Sequence, residues 1–115
     1  MKIYLAGAIR GMPDFNVPAF DKAQAFLELL SHEVFNPIAY SRKLYGEDIY
    51  TKPSNEEGEP VGINSREVFA ADLKWICEEA EAIALLPGWE NSKGATAERA
   101  VGLALGLKII ELDGF

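Results

Sequence analysis

Ala82-Ile83-Ala84-Leu85-Leu86 is an unbroken apolar run, closed by Pro87-Gly88. Consecutive apolar residues without alternation mark a strand buried on both faces, as the central strand of a parallel sheet is. Before it, Phe69, Leu73, Ile76 and Ala80 recur at helical spacing behind Asn64 and Glu67, which are arranged as a capping box. After it, the loop Trp89 to Lys93 leads to a helix starting near Gly94 and stopping at Gly106. Ala97, Val101, Ala104 and Leu105 form the expected inner face of that helix. Lys108-Ile109-Ile110-Glu111-Leu112 reads as the last strand.

Toward the N-terminus, Lys2 to Ala6 is a short buried strand ending at Gly7. Asn16 is placed to cap a helix from Val17 to about Leu30, with Pro18 tolerated in its first turn. Glu33-Val34-Phe35 is a second strand, stopped by Asn36-Pro37. From about Ile38 to Ile63 the periodicity fails among Gly46, Pro53, Gly58, Pro60 and Gly62. That stretch reads as a long mobile loop, equally a binding lid or a disordered insertion. Its Tyr40, Tyr45 and Tyr50 suit stacking on a base or anchoring the loop to the core.

Alternating strands and helices imply a parallel sheet with helices on both faces. Right-handed crossovers give the strand order 2-1-3-4. The expectation is a single flavodoxin-like (Rossmannoid) three-layer α/β domain over residues 1–115, with about four parallel strands. Ligands of such sheets bind beyond the strand carboxyl ends, where strands 1 and 3 diverge.

A chain of 115 residues supports one core and no second domain. Its net charge of −7 repels a phosphate backbone, which argues against a nucleic-acid polymer as partner. A small anion remains possible, because local donors outweigh distant charge. The single cysteine, Cys77, excludes an internal disulfide and reads as a small buried apolar residue. One His and one Cys cannot assemble a zinc site, and His32, beside a turn, is poorly placed for a triad. The N-terminal apolar run is too short for a signal peptide or membrane span, so the expected location is the cytoplasm.

The divergence point gathers two loops. Gly7 and Gly11 allow close backbone approach to a ligand, Ile9 lies between them, and Arg10 offers a forked guanidinium. Ser92 and Gly94 add a hydroxyl and an open amide at a helix N-terminus, where the dipole favours anions. Neither loop matches a Walker or dinucleotide fingerprint. On pattern alone, glycines shaping a turn and an arginine in solvent fit at least as well. Asp72 sits on the apolar stripe of its helix, three after Phe69 and four before Ile76. Glu98 precedes Val101 by three on another partly apolar face. Either acid alone reads as an ordinary amphipathic-edge residue. Two acids flanking the central strand, beside an anion cradle, suggest attack on an anomeric carbon.

These blocks resemble the nucleoside 2-deoxyribosyltransferase superfamily: Tyr4-Leu5-Ala6-Gly7-Ala8-Ile9-Arg10-Gly11, then Ala71-Asp72-Leu73-Lys74-Trp75-Ile76, then Ser92-Lys93-Gly94-Ala95-Thr96-Ala97-Glu98. The nearest branch is the 2'-deoxynucleoside 5'-monophosphate N-hydrolases, together with related small phage and bacterial proteins. The resemblance implies that Glu98 is the nucleophile, that Asp72 contacts the sugar and assists the departing base, and that Tyr4 holds the nucleophile. It assigns the 5'-phosphate to Gly7, Ile9, Arg10, Gly11, Ser92 and Gly94. The transferases carry an acid where this chain has Ser92; a neutral serine beside Arg10 suits a phosphate. The chain departs from the hydrolases at Ala8, where they usually carry serine. It ends at Phe115, where family chains continue with a helix and strand that complete the neighbouring subunit's site.

The expected function is therefore an N-glycosidase acting on 2'-deoxynucleoside 5'-monophosphates, or a related deoxyribosyltransferase. The alternative is a non-catalytic small-nucleotide binder, a sensor or sponge. A homodimer or larger homo-oligomer is implied by the resemblance. No metal or organic cofactor is expected, since carboxylate attack needs neither. The base is expected to face the long loop and Trp89.

Overall fold

The computed structural model describes residues 1–115. Four strands, β1 (Lys2–Ala6), β2 (Glu33–Phe35), β3 (Ala82–Leu85) and β4 (Lys108–Glu111), form one sheet in the order β2-β1-β3-β4. Every pairing is parallel; Tyr4 of β1 lies opposite Phe35 of β2 and Ile83 of β3. This is the expected α/β architecture and strand order.

Alternation along β1 and β3 sends residues to two cores. Ile3, Leu5, Ala82, Ala84 and Leu86 pack on one face with Phe20, Ala23 and Leu27 of α1 (Val17–Leu29). Tyr4, Ala6, Ile83 and Leu85 pack on the other with Ile76 of α3 (Ser65–Glu78) and Ala95 of α4 (Lys93–Ala104). The unbroken apolar run of β3 is thus explained: both of its faces are covered.

Several local expectations are corrected. Asn16 does not cap α1; it has φ 61°, and its amide donates to the Ala8 carbonyl at 3.0 Å, bracing the first loop. The stretch from Ile38 to Ile63 is not a structureless excursion. It holds α2 (Pro37–Tyr45), capped by Asn36 and opened by Pro37, and a 3-10 turn at Ile49–Thr51. Ile38, Ser41, Ile49 and Pro60 are buried, so this segment is anchored in the fold. Tyr45 ties α2 to α3: its hydroxyl donates to Glu67 at 2.8 Å and accepts from the Asn64 amide at 3.2 Å. Asn64 caps α3 as expected, accepting from the Glu67 amide at 3.2 Å. The Glu67 carboxylate bonds Tyr45 rather than completing the reciprocal half of a capping box.

Cys77 is exposed, because it follows Ile76 around the helix onto the outer face. Of the expected inner face of α4, Val101 packs on the core and Ala97 lines the cavity described below, but Ala104 and Leu105 are exposed, and the most buried positions are Ala95, Glu98 and Gly102. Gly102 allows this helix to lie close to the sheet. A Cβ there would stand 2.6 Å from Cδ1 of Ile83. No helix is long and apolar enough to cross a membrane.

Candidate active site

A cavity of about 640 Å3 opens at the carboxyl ends of β1 and β3. That volume suits a nucleotide-sized ligand. Tyr4, Gly7, Ile9, Arg10, Asp72, Ser92, Gly94 and Glu98 all line it. Of the nine residues singled out in the sequence, only Gly11 lies outside the lining. It carries φ 71° and shapes the turn that follows Arg10.

Each acidic side chain reaches the cavity from a buried helical face. Asp72 and Ile76 are the buried residues of α3, one turn apart, so Asp72 points inward at the level of the strand ends. Glu98 lies between Ala95 and Gly102 on the buried face of α4. Both carboxyls are only about one-twentieth exposed, Asp72 at 5% and Glu98 at 6%.

Tyr4 joins the two helices to the sheet. Its ring is fully buried and stacks on Phe35 at 5.5 Å, and Phe35 in turn packs against Trp75 and Tyr40. The Tyr4 hydroxyl donates to Glu98 Oε2 at 2.6 Å. A hydroxyl has one proton, so it serves one carboxylate at a time, and Asp72 Oδ1 has no partner.

Burial pushes Asp72 up to about 7, opposed by Tyr4 and reinforced by the charge of Glu59. Burial likewise pushes Glu98 up to about 8, opposed by the Tyr4 hydrogen bond and reinforced by Asp72. Tyr4 itself is held well above its ordinary range by burial and by both acids. Burial acts harder on Glu98, whereas the short hydrogen bond favours ionised Glu98 over Asp72. Burial thus favours the protonated form of both carboxyls well above the ordinary carboxylate range.

The residues expected to hold an anion line the same cavity. Gly7 is required there by space: a Cβ would fall 2.9 Å from Cβ of Leu86. Ser92 caps α4, accepting from the Ala95 amide at 3.1 Å, and Gly94 follows in the first turn. Arg10 is half exposed, and its Nε donates to Glu59 Oε1 at 2.6 Å.

Two cavity residues, Glu59 and Ser41, escaped the sequence reading because they lie in the stretch taken for a loop, and Tyr50, named there as a stacking or anchoring residue, lines the cavity beside them. Glu59 is the partner of Arg10. Tyr50 lines the wall, packs on Phe15 at 5.8 Å and is raised to about 12, chiefly by burial. Ser41, 1% exposed on the inner face of α2, has a hydroxyl with no hydrogen-bond partner. A serine inside an apparent loop carries no signal by itself; only the Asn36-Pro37 helix start hinted at an inner face.

Three expected neighbours are elsewhere. Trp89 is outside the cavity, its indole donating to Glu111 at 3.3 Å beneath Arg99. Tyr40 is spent on the aromatic cluster and Tyr45 on α3. His32 lies at the far end of the sheet, 3.1 Å from the N-terminal amine. No three His, Cys, Asp or Glu side chains gather so as to hold a metal ion.

Fold and cleft together define a parallel α/β protein with a cavity at the divergence of its central strands, lined by the carboxyls of Asp72, Glu98 and Glu59, by Arg10 and by the start of α4. The chain belongs to the family described as a domain of unknown function, DUF4406, whose model matches residues 1–111. No curated protein and no solved structure matches it significantly.

Proposed function

We propose that the protein is an N-glycosidase of 2'-deoxynucleoside 5'-monophosphates, of the nucleoside 2-deoxyribosyltransferase type. The observation that carries this reading is the 2.6 Å bond from Tyr4 to Glu98 in a cavity where a second buried acid, Asp72, is left without a partner on Oδ1. A bond from Tyr4 favours the charged form of Glu98, the form that attacks. Asp72, raised to about 7 by burial, suits the role of acid.

The chemistry then runs in two displacements. Glu98 Oε attacks C1' as the C1'–N bond breaks, and the bond's electron pair leaves on the base, which takes the proton of Asp72. Water next attacks C1' and gives its proton to Asp72, while the bond to Glu98 breaks and restores the carboxylate. Arg10, Ser92, Gly94 and the first-loop backbone at Gly7 and Ile9 hold the 5'-phosphate meanwhile. A related transferase would differ only in the second acceptor, a base in place of water.

Incubation with the four deoxynucleoside 5'-monophosphates tests the reading by release of free base. Glu98→Ala should abolish release and spare affinity. Release unaffected by Glu98→Ala would sink the assignment.

One observation favours a second reading, a non-catalytic nucleotide binder. Burial raises Glu98 to about 8, and a protonated carboxyl is a poor nucleophile. Tight binding without turnover, for all four monophosphates, would establish that reading instead.

The proposal implies a cytoplasmic nucleotide pool as the setting and a homodimer or larger assembly. Phe26, Leu29 and Leu30 expose apolar surface on and just after α1, with Phe115 5.6 Å from Phe26. Sedimentation velocity distinguishes the assembly from a monomer.

A further inference from the structure

The proposed displacements leave one cavity carboxylate unused, Glu59, and its surroundings show why it is there. Residues 53–61 double back as a strap. Ser54 pairs antiparallel with Pro60, and the Val61 amide donates to the Pro53 carbonyl at 2.9 Å. Asn55 locks the turn: its side-chain oxygen accepts from the amides of Glu57 at 2.9 Å and Glu59 at 3.1 Å. Its own amide donates to the Glu59 carbonyl at 2.7 Å. Pro60 is buried. Gly58 lies against the first loop, where a Cβ would stand 3.4 Å from both Arg10 Cβ and the Gly11 amide nitrogen.

The strap therefore fixes Glu59 and lays it on Arg10. The Glu59 side chain is 14% exposed, the Arg10 side chain 52%. The rigid partner is the acid, and the partner needing restraint is the arginine. The contact uses Nε alone, which leaves both Nη groups with their four N–H donors free.

We infer that Glu59 is a positioning residue for Arg10: by taking Nε it sets the guanidinium so that its Nη edge forms a fork for two oxygens of a phosphate monoester in the cavity. This rests on the nucleotide reading above. A half-exposed arginine otherwise samples many rotamers, and fixing it in advance lowers the entropy lost on binding. The negative charge of Glu59 opposes an incoming dianion. A charge meant to be expelled would sit on a solvated side chain; this one is enclosed, and its backbone is tied on both sides. Fixing the fork is the effect that dominates.

The test compares Glu59→Ala and Glu59→Gln for binding of 2-deoxyribose 5-phosphate and for kcat and KM on deoxynucleoside monophosphates. Glu59→Ala should weaken sugar-phosphate binding about 10-fold and raise KM similarly with kcat little changed. Glu59→Gln should stay within about 3-fold of the wild type, because its amide oxygen still accepts from Nε. Tighter binding in both variants would show a competing internal anion and overturn the assignment; unchanged binding in Glu59→Ala would do the same while leaving the nucleotide reading intact. Wild-type protein with no affinity for the sugar phosphate or any deoxynucleotide sinks both. A second readout needs no variant: the Arg10 Nε–H proton should be protected from solvent exchange in NMR, and an averaged, fast-exchanging signal counts against the pin.

Discussion

The hydroxyl of Tyr4, on the central strand β1, donates to Glu98 of α4 across 2.6 Å, and it is the sole side-chain hydrogen bond made by either residue. The two residues are 94 positions apart in sequence, and both are almost wholly buried. A strand residue thus governs the charge of a helix residue. Tyr4→Phe keeps the ring on Phe35 and removes only the donor. Ionised Glu98 then loses its one stabilising partner, and its pKa rises further. On the proposed chemistry kcat falls about 100-fold, in line with loss of one buried donor to a reacting group, while KM changes little. Steady-state kinetics on the preferred monophosphate checks this. Full retention of kcat would remove Tyr4 from the mechanism.

The two raised acids make stability fall as pH rises. Asp72 goes from an ordinary value of 3.8 to about 7, and Glu98 from 4.5 to about 8. Between the ordinary and the raised values, the folded protein holds protons that the unfolded chain has released. Folding is therefore progressively disfavoured from about pH 4 to about pH 8, and the loss is complete above that. Asp72→Asn and Glu98→Gln delete the titrating groups. Each variant should match the wild type near pH 4 and exceed it at pH 8–9, by on the order of 2 kcal/mol after relaxation, or about 5 °C or more in Tm. Thermal melts across that range measure the gap. A gap that widens toward acid would contradict the sign.

Ser92→Asp separates phosphate from fold. Ser92 caps α4 through the Ala95 amide, and aspartate caps as well as serine, so the helix should remain. A new carboxylate among the phosphate donors would repel a monophosphate, weakening it well over 10-fold, since like charges brought together cost several kcal/mol. The matching deoxynucleoside, without phosphate, should bind as before. Calorimetry with the two ligands decides it; equal effects on both would place the phosphate elsewhere.

Ser41→Ala should act in opposite directions on stability and on binding. The hydroxyl is buried without a partner, and its removal should stabilise the empty protein by roughly 1 kcal/mol. If it serves the ligand, as an unpartnered group in a cavity wall suggests, nucleotide affinity should fall several-fold at the same time. Melting with and without nucleotide reads both signs. A destabilised empty protein would mean the hydroxyl has a partner of its own.

The sheet was legible because the run from Ala82 to Leu86, which carries β3, is apolar at five successive positions, and so short a run closed by Pro87-Gly88 suits a strand covered on both faces. The site was legible to the extent that its residues lie on those periodic elements: Tyr4 on β1, Asp72 and Glu98 on the inner stripes, Ser92 and Gly94 at a helix start. What was not legible came from the middle of the chain. α2 is nine residues long with three buried, and its anchoring depends on partners far away in sequence, Tyr45 on Glu67 and Arg42 on Asp21. Glu59 reaches Arg10 only because a strap with no periodicity folds back 49 positions. Asn16 carries the residue type of a cap but adopts φ 61° and bonds Ala8 instead. Cys77 was misplaced by reading residue character over helical phase, and Leu105 by extending the helical phase past Ala104, where α4 ends.

Gly102 sets how near α4 comes to the sheet, and with it whether Glu98 can reach Tyr4. Glu98 is one turn earlier on the same buried face. A methyl group at 102 would stand 2.6 Å from Cδ1 and 3.0 Å from Cγ1 of Ile83, inside any tolerable contact. Gly102→Ala gains helix propensity, by up to about 1 kcal/mol, but overpacking costs about 1–3 kcal/mol, so net destabilisation is expected. The helix should also shift outward and stretch the Tyr4–Glu98 bond, lowering kcat beyond what the stability loss explains. Ile83→Val removes the atom nearest the collision. If close approach is the cause, the double variant should recover stability and kcat relative to Gly102→Ala, with a favourable coupling of about 1 kcal/mol in the cycle. Additive losses would mean that the glycine serves something other than proximity to Ile83, and the link from helix packing to Glu98 would have to be abandoned.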